Sequence, residues 1–408
     1  MNENTSTNTA PSLRLRLLLV VCALAVVSQL YLPLPVLAQI ARALDVDAAT
    51  AAGALSIFGL FYAAGFMVFG PLSDRLGRRR VMCWGLAALM LVTLLVAALV
   101  TWTPSAPLLL ACRALQGLAA AAFPPVAIAY LAERGTPGQR IWNVAWISTA
   151  FLSAGLLGQL YGDAVAGRWG LGMAMLPLAA IYACTAWALR QGPAEPSTEL
   201  APRSARELLS SYRALGPVLA DARLRRVYAP ALLLLMCFIA FYMALDTRAG
   251  AALRAADATP FMARAVALPG FLAPLLVPAL MPRLGAERLV AVGLATATTG
   301  LLLCAWAGPE RLHGLLAASV VFVAGVGISA PSLIARIGLV AAPSSRGLAV
   351  ALYTFVLFIG ASLGPWLAHQ TAQLSLSALC AGLAAGLGAA AVYASTARAA
   401  TPARDQPA

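Results

Sequence analysis

Twelve long apolar runs, separated by short polar connections, organise this chain. They fall near 15–36, 51–71, 81–101, 108–131, 141–162, 171–189, 228–247, 262–281, 289–307, 313–335, 347–368 and 374–395. A helix needs about 20 mostly apolar residues to cross the hydrocarbon layer. The pattern therefore predicts an all-α integral membrane protein of twelve transmembrane helices in two six-helix halves. The halves cover 13–190 and 227–396, and no room remains for a soluble catalytic domain. Residues 1–12 are polar and read as a disordered cytoplasmic tail, and 397–408 as a short polar cytoplasmic tail. The apolar run after Arg14 and Arg16 resembles a secretory signal, but it exceeds the roughly 7–15 residues such a signal uses.

The long connection, 191–226, opens with Gly192-Pro193. From Ser204 to Arg226 it alternates Leu and Val with Arg, Glu and Asp. Two readings fit: an amphipathic helix on the inner surface, its Arg facing anionic headgroups, or a solvated tether.

Composition sharpens this. The chain is 61% hydrophobic and 11% charged, with mean hydropathy +0.84, against about 25% charged in a soluble domain. Net charge is +13, and all 28 basic residues are Arg. A nucleic-acid binder would gather them on one soluble face. Here they divide by loop, so no nucleic-acid partner is predicted. With the N-terminus inside, 21 of the 28 Arg fall in cytoplasmic segments; Arg42, Arg168, Arg248, Arg254, Arg264 and Arg311 fall outside, and Arg113 lies within the membrane. That asymmetry predicts cytoplasmic termini. The seven Cys form no CxxC pair and read as packing residues, so no metal site and no cofactor are predicted. An Ala- and Arg-rich chain without Lys suggests a GC-rich bacterial genome, hence the cytoplasmic (inner) membrane.

One loop stands out: Gly70-Pro71-Leu72-Ser73-Asp74-Arg75-Leu76-Gly77-Arg78-Arg79-Arg80. A degraded copy, Pro278 to Arg288, lies 208 positions later. The offset holds beyond the loop, since Gly117 maps onto Gly325; Gly158-Gln159 maps onto Gly364-Pro365 at 206. The chain is therefore a duplication. The eleven-residue pattern resembles the loop between helices 2 and 3 of major facilitator superfamily transporters, and its copy their helix 8–9 loop. The resemblance implies parallel halves with a substrate site between them near the midplane.

In that loop Gly70 and Gly77 permit close helix approach and a tight turn, while Asp74 sits among Arg75, Arg78, Arg79 and Arg80. Charge-assisted bonds here can form in one conformation and break in another. The resemblance implies a latch that shuts the cytoplasmic side, with Asp74 facing the start of span 11. Glu133, ending span 4, is the candidate partner of Arg78 or Arg75. In the second copy Pro282 replaces the acid and removes the charge a matching latch needs.

Arg113-Ala114-Leu115-Gln116-Gly117 resembles the Arg-x-x-Gln-Gly of span 4 in the drug-efflux branch. Arg113 either lines a cavity, tied to proton coupling or an anionic substrate with Gln116 beside it, or bonds backbone carbonyls of span 1. Intramembrane charges weigh toward function. Span 5, with Gly155 and Gly158, resembles the antiporter Gly-Pro-x-x-Gly-Gly with Gln159 in place of Pro, whereas span 11 keeps Gly360, Gly364 and Pro365. Small-residue helix packing is the other reading of both. In span 1, Tyr31-Leu32-Pro33-Leu34-Pro35 resembles the arabinose-efflux-like and YnfM-like permeases. No Asp or Glu falls at mid-membrane in any span. Asp246 is the leading coupling candidate, with Arg248 or Arg254 nearby; Asp163 and His369 lie at outer span ends and could also titrate. Trp146, Tyr242 and Tyr353 are candidate cavity-lining rings.

Only two His, no paired carboxylates and no P-loop argue against a membrane enzyme or an ATP-driven pump. The resulting expectation is a monomeric secondary active transporter. It exports a small, partly apolar compound by proton antiport and rocker-switch alternating access, with membrane lipids as surroundings. The alternatives are an uncoupled or exchanging carrier of an anionic metabolite or sugar, and a non-transporting sensor.

Overall fold

A computed structural model describes residues 11–102, 105–191, 215–342 and 345–396. The expected tails at 1–10 and 397–408, and most of the linker, 192–214, lie outside the described residues. The described part is helical, with no strand.

The first compact unit comprises 1–218 with 342–358. Its helices are α1 (Leu13–Tyr31), α2 (Leu37–Leu44), α3 (Ala48–Leu76), α4 (Arg78–Trp102), α5 (Ala106–Ala120), α6 (Pro124–Glu133), α7 (Pro137–Tyr161) and α8 (Gly167–Gln191), followed by α9 (Leu215–Ala220), whose last two residues fall to the second unit. The second unit comprises 219–341 with 359–408. It holds α10 (Ala222–Arg248), α11 (Gly250–Ala255), α12 (Pro260–Ala265), α13 (Leu268–Phe271), α14 (Val277–Ala307) and α15 (Leu312–Val340), and ends with α17 (Leu376–Ser395). Between these last two lies α16 (Arg346–Gln370), whose first half belongs to the first unit and whose second half belongs to the second.

Side-chain caps start several helices at polar residues just ahead of the apolar runs. Ser12 accepts from the N–H of Leu15, Asp47 from Thr50 and Ser375 from Ala378. Thr136 and Gln139 form a reciprocal capping box at α7. Within the first unit α1 packs on α7, α3 on α5 and α4 on α8; within the second, α14 packs on α15 and α17. Gly117 has its Cα against the Phe58 carbonyl of α3, and Gly325 lies equally tight against the backbone of Ala297. These positions, 208 apart, let helix backbones touch where any side chain would intrude.

Ten helical stretches among the described residues are long and apolar enough to cross a membrane. One of them, Pro137–Gln191, runs 55 residues and supplies two of the twelve expected spans. It turns through a π-helical segment, Gly162–Ala166, and a break at Gly170, whose φ is 83°. The expected continuous helix at 262–281 is corrected. In its place lie α12, α13, a short 3-10 turn at Ala273–Leu276 and the start of α14. Pro269, Pro274 and Pro278 explain the break, each removing one N–H and crowding a carbonyl four residues back.

Candidate functional site

The deepest polar cluster of the first unit surrounds Arg113 on α5, which is 1% exposed. Its Nη1 donates to Gln116 Oε1 at 2.6 Å, its Nη2 to the Gln29 carbonyl at 3.0 Å and its Nε to the Ala54 carbonyl at 3.2 Å. The Phe58 ring covers the guanidinium, 4.3 Å from Cζ. Among the described residues no carboxylate pairs with Arg113. The reason lies in span 1. In a continuing helix the Gln29 carbonyl would accept from the N–H of residue 33, and Pro33 has none. Arg113 supplies the missing donor, so the span 1 and span 4 motifs meet in one hydrogen bond.

Thr93 on α4 completes the cluster and carries no motif signature. Its hydroxyl accepts from Gln29 Nε2 at 3.2 Å and from Gln116 Nε2 at 2.9 Å. Its sequence signal is a lone hydroxyl within an apolar run. Tyr182 donates to the Ala25 carbonyl at 3.0 Å. The Tyr62 ring packs against Phe58, Phe66 and Phe358, and its hydroxyl is buried without a hydrogen-bond partner. Tyr353, 2% exposed, belongs to the same unit. Gly155 sits under the Tyr31 ring, and Gly158 abuts Ser28, where a Cβ would approach within 2.9 Å. Trp146 does not join this cluster and lines a groove at the other end of α7.

At the cytoplasm-predicted end of the same unit, Gly77 turns the chain from α3 into α4 with φ 90°, which strongly favours glycine. Asp74 and Arg75 end α3, and Arg78 opens α4. Arg78 Nη2 bonds Glu133 Oε1 at 2.7 Å and Asp74 Oδ1 at 3.2 Å. The Asp74 carboxylate also lies against the backbone of Gly347, where a Cβ has no space, and accepts a backbone hydrogen bond from Leu348. A carboxylate thus meets the unpaired N–H groups and positive end of α16. One turn away Gly70 touches Ala351 so closely that an added Cβ would force one of the two helices to shift. Helices α3, α4, α6 and α16 meet through one acid–base–acid chain.

In the second unit Asp246 on α10 pairs with Arg264 of α12, rather than with its sequence neighbours Arg248 or Arg254. The pieces of the broken eighth span bring Arg264 back toward α10. Tyr242 lies 6.0 Å from the Arg264 guanidinium and stacks edge-on with Phe238 and Phe241. Arg248 instead donates to the carbonyls of Ala368 and Thr371 at 3.0 and 2.7 Å, capping the end of α16. Gly360 is pressed on the Leu232 backbone and Gly364 on Ile239, while Pro365 is exposed. Asp163 and His369 are exposed. Arg336, counted above among the cytoplasmic Arg, is not a free loop residue. It lies inside α15, 3% exposed, donating to the Ala394 carbonyl at 3.0 Å and sitting 3.9 Å from Glu287.

Comparison with known proteins places this geometry in context. Residues 17–365 match the family model described as Major Facilitator Superfamily. The chain is 28% identical over 166 residues to the inner membrane transport protein YnfM of Escherichia coli (strain K12), covering 41% of this chain and 38% of that one. It is 27% identical over 182 residues to Multidrug resistance protein D of the same organism, covering 45% of each. These matches span less than half the length of the curated relatives. In fold it resembles the crystal structure of the human organic anion transporter MFSD10 (TETRAN), with TM-score 0.70 and 18% identity over 93% of this chain and 99% of that one.

Proposed function

The chain belongs to the Major Facilitator Superfamily, a family of multi-pass membrane transporters and not of enzymes, and from that premise we propose that it is a proton-coupled exporter of a small, partly apolar compound. The observation that carries the mechanism is the Asp74–Arg78–Glu133 chain seated on the N-terminus of α16. Such a contact can serve as a latch. It forms where four helix ends meet, and it breaks when α16 moves away from α3. Alternating access needs such an element, stable in one state and released in the other. Among the relatives, a multidrug resistance protein favours export and an inner membrane transport protein, YnfM, favours the inner membrane. Both termini are cytoplasmic in this reading, with a monomer as the working unit.

Asp246 with Arg264 is the coupling pair of this proposal. It is an acid at the outer end of α10 whose partner sits on the broken span and can be withdrawn. Tyr242 and the Phe238 and Phe241 rings supply an apolar wall beside it. Arg113 and Gln116 hold spans 1, 2 and 4 in register.

A second reading keeps the carrier and changes the cargo to an anionic metabolite. It rests on the intramembrane cation Arg113, which has no carboxylate partner among the described residues. The fold neighbour that transports organic anions favours it too.

The test is substrate-driven proton movement in acidified inside-out vesicles, with a panel of drugs, sugars and organic acids. Alkalinisation on adding an apolar compound, lost in Asp246→Asn, is the expected result. Transport of organic acids without proton movement supports the second reading and overturns the first.

A further inference from the structure

A groove of about 200 Å³ opens between the cytoplasm-predicted ends of α1 and α7, beside the end of α6. Its outer walls are apolar and exposed: Leu13 is 62% exposed, Leu17 54%, and Trp142 and Trp146 each 44%. Its floor is polar. Asn143, 5% exposed, keeps its Nδ2 buried without a hydrogen-bond partner, and Arg16 Nε is likewise buried and unpaired. Gln139 adds a third polar side chain, and no acid lines the groove.

This combination is unusual for a surface that faces hydrocarbon. A lipid tail would leave both donors unpaired, at a high cost in a medium without water. A soluble anion would satisfy them but would leave the Leu and Trp walls uncovered. An amphiphile with an anionic oxygen-rich head satisfies both halves. We propose that the groove binds an anionic phospholipid, its phosphate oxygens accepting from Arg16 and Asn143 and its acyl chains lying along Leu13, Leu17 and Trp146. The site lies at the level where anionic headgroups meet the bundle, and Trp rings favour that depth. This assigns Trp146 to lipid rather than to cargo. Leu131, which lines the groove, stands two residues before Glu133 on α6, so an occupied groove would brace the helix that carries one end of the latch.

The test uses the full-length chain in phosphatidylcholine nanodiscs carrying increasing fractions of brominated phosphatidylglycerol or brominated phosphatidylcholine. Bromine quenches nearby Trp fluorescence. The part due to this groove is the difference between the parent chain and a Trp142→Phe/Trp146→Phe variant. The parent should reach half-quenching at about fivefold less phosphatidylglycerol than phosphatidylcholine, the worth of one Arg beside an anionic surface. Arg16→Gln should abolish that preference. Asn143→Leu should weaken binding to both lipids, and Arg42→Gln, whose guanidinium bonds the Ala38 carbonyl, should change neither. Superimposable curves for the two lipids in the parent chain overturn the proposal, as does a preference that survives Arg16→Gln. The readout is independent of transport, so failure here leaves the exporter reading untouched.

Discussion

Arg113 shows how a charge is tolerated in an apolar interior without a counter-charge. Its donors go to one amide and to two carbonyls, one of which Pro33 has stripped of its helical partner. A guanidinium suits this task because its planar fork presents several donors at once. Arg113→Gln should therefore destabilise the protein by about 1–3 kcal/mol, the cost of a buried acceptor left unpaired. Pro33→Ala returns an N–H to the Gln29 carbonyl. In thermal unfolding, Arg113→Gln should then cost about 1 kcal/mol less in the Pro33→Ala background than in the parent. Strict additivity would show that the carbonyl does not need the guanidinium. Glycine supplies a second contrast at this scale. Gly117→Ala drives a methyl into the Phe58 carbonyl, whereas Gly138 has nothing within 4 Å of an added Cβ. The first substitution should lose about 1–3 kcal/mol; the second should gain up to about 1 kcal/mol from helix propensity.

At the scale of the element, the helix ends carry the chemistry. Asp74 at the start of α16 makes a specific expectation possible. Asp74→Asn and Gly347→Ala, one removing the charge and the other wedging a methyl into its seat, should each slow transport tenfold or more, the worth of a charge-assisted hydrogen bond. The double variant should be no slower than either single. Multiplying defects in vesicle transport would separate the two residues and refute a shared latch. The loop that supplies Asp74 and Arg78 was legible in the chain, because its Gly, acid and Arg spacing recurs at a fixed offset. The apolar runs were equally legible, since length alone marks them. What the sequence concealed is where backbone polar groups find partners. The expected span at 262–281 is a run of apolar residues by composition, yet Pro269, Pro274 and Pro278 leave its carbonyls unserved. Charge counting by loop treated Arg336 as a loop charge, though α15 continues past it and buries it against Ala394. Asp246 found Arg264, not its sequence neighbours, because only the broken backbone returns α12 to α10. Thr93 left no trace beyond a hydroxyl in an apolar stretch.

For the whole molecule, the charge asymmetry predicts that the loop at Thr136 faces the cytoplasm and the loop at Glu310 faces outward. Six of the seven native cysteines are buried and only Cys184 is exposed, so a Cys184→Ala background leaves few competing thiols. In whole cells an impermeant maleimide should label Glu310→Cys and spare Thr136→Cys, and inside-out vesicles should reverse the pattern. The same labelling on both faces would refute the topology. The first compact unit also has a temporal consequence. It takes 342–358 from a stretch that follows the whole of 219–341 in the chain, and the seat of Asp74 lies on that late stretch. During synthesis the ribosome delivers α3 with its acid long before it delivers Gly347 and Leu348. The first six spans therefore wait, with Asp74 uncapped, until most of the second unit has been made. A chain severed at the linker leaves its leading fragment permanently in that waiting state, and only a trailing fragment supplied alongside can complete it.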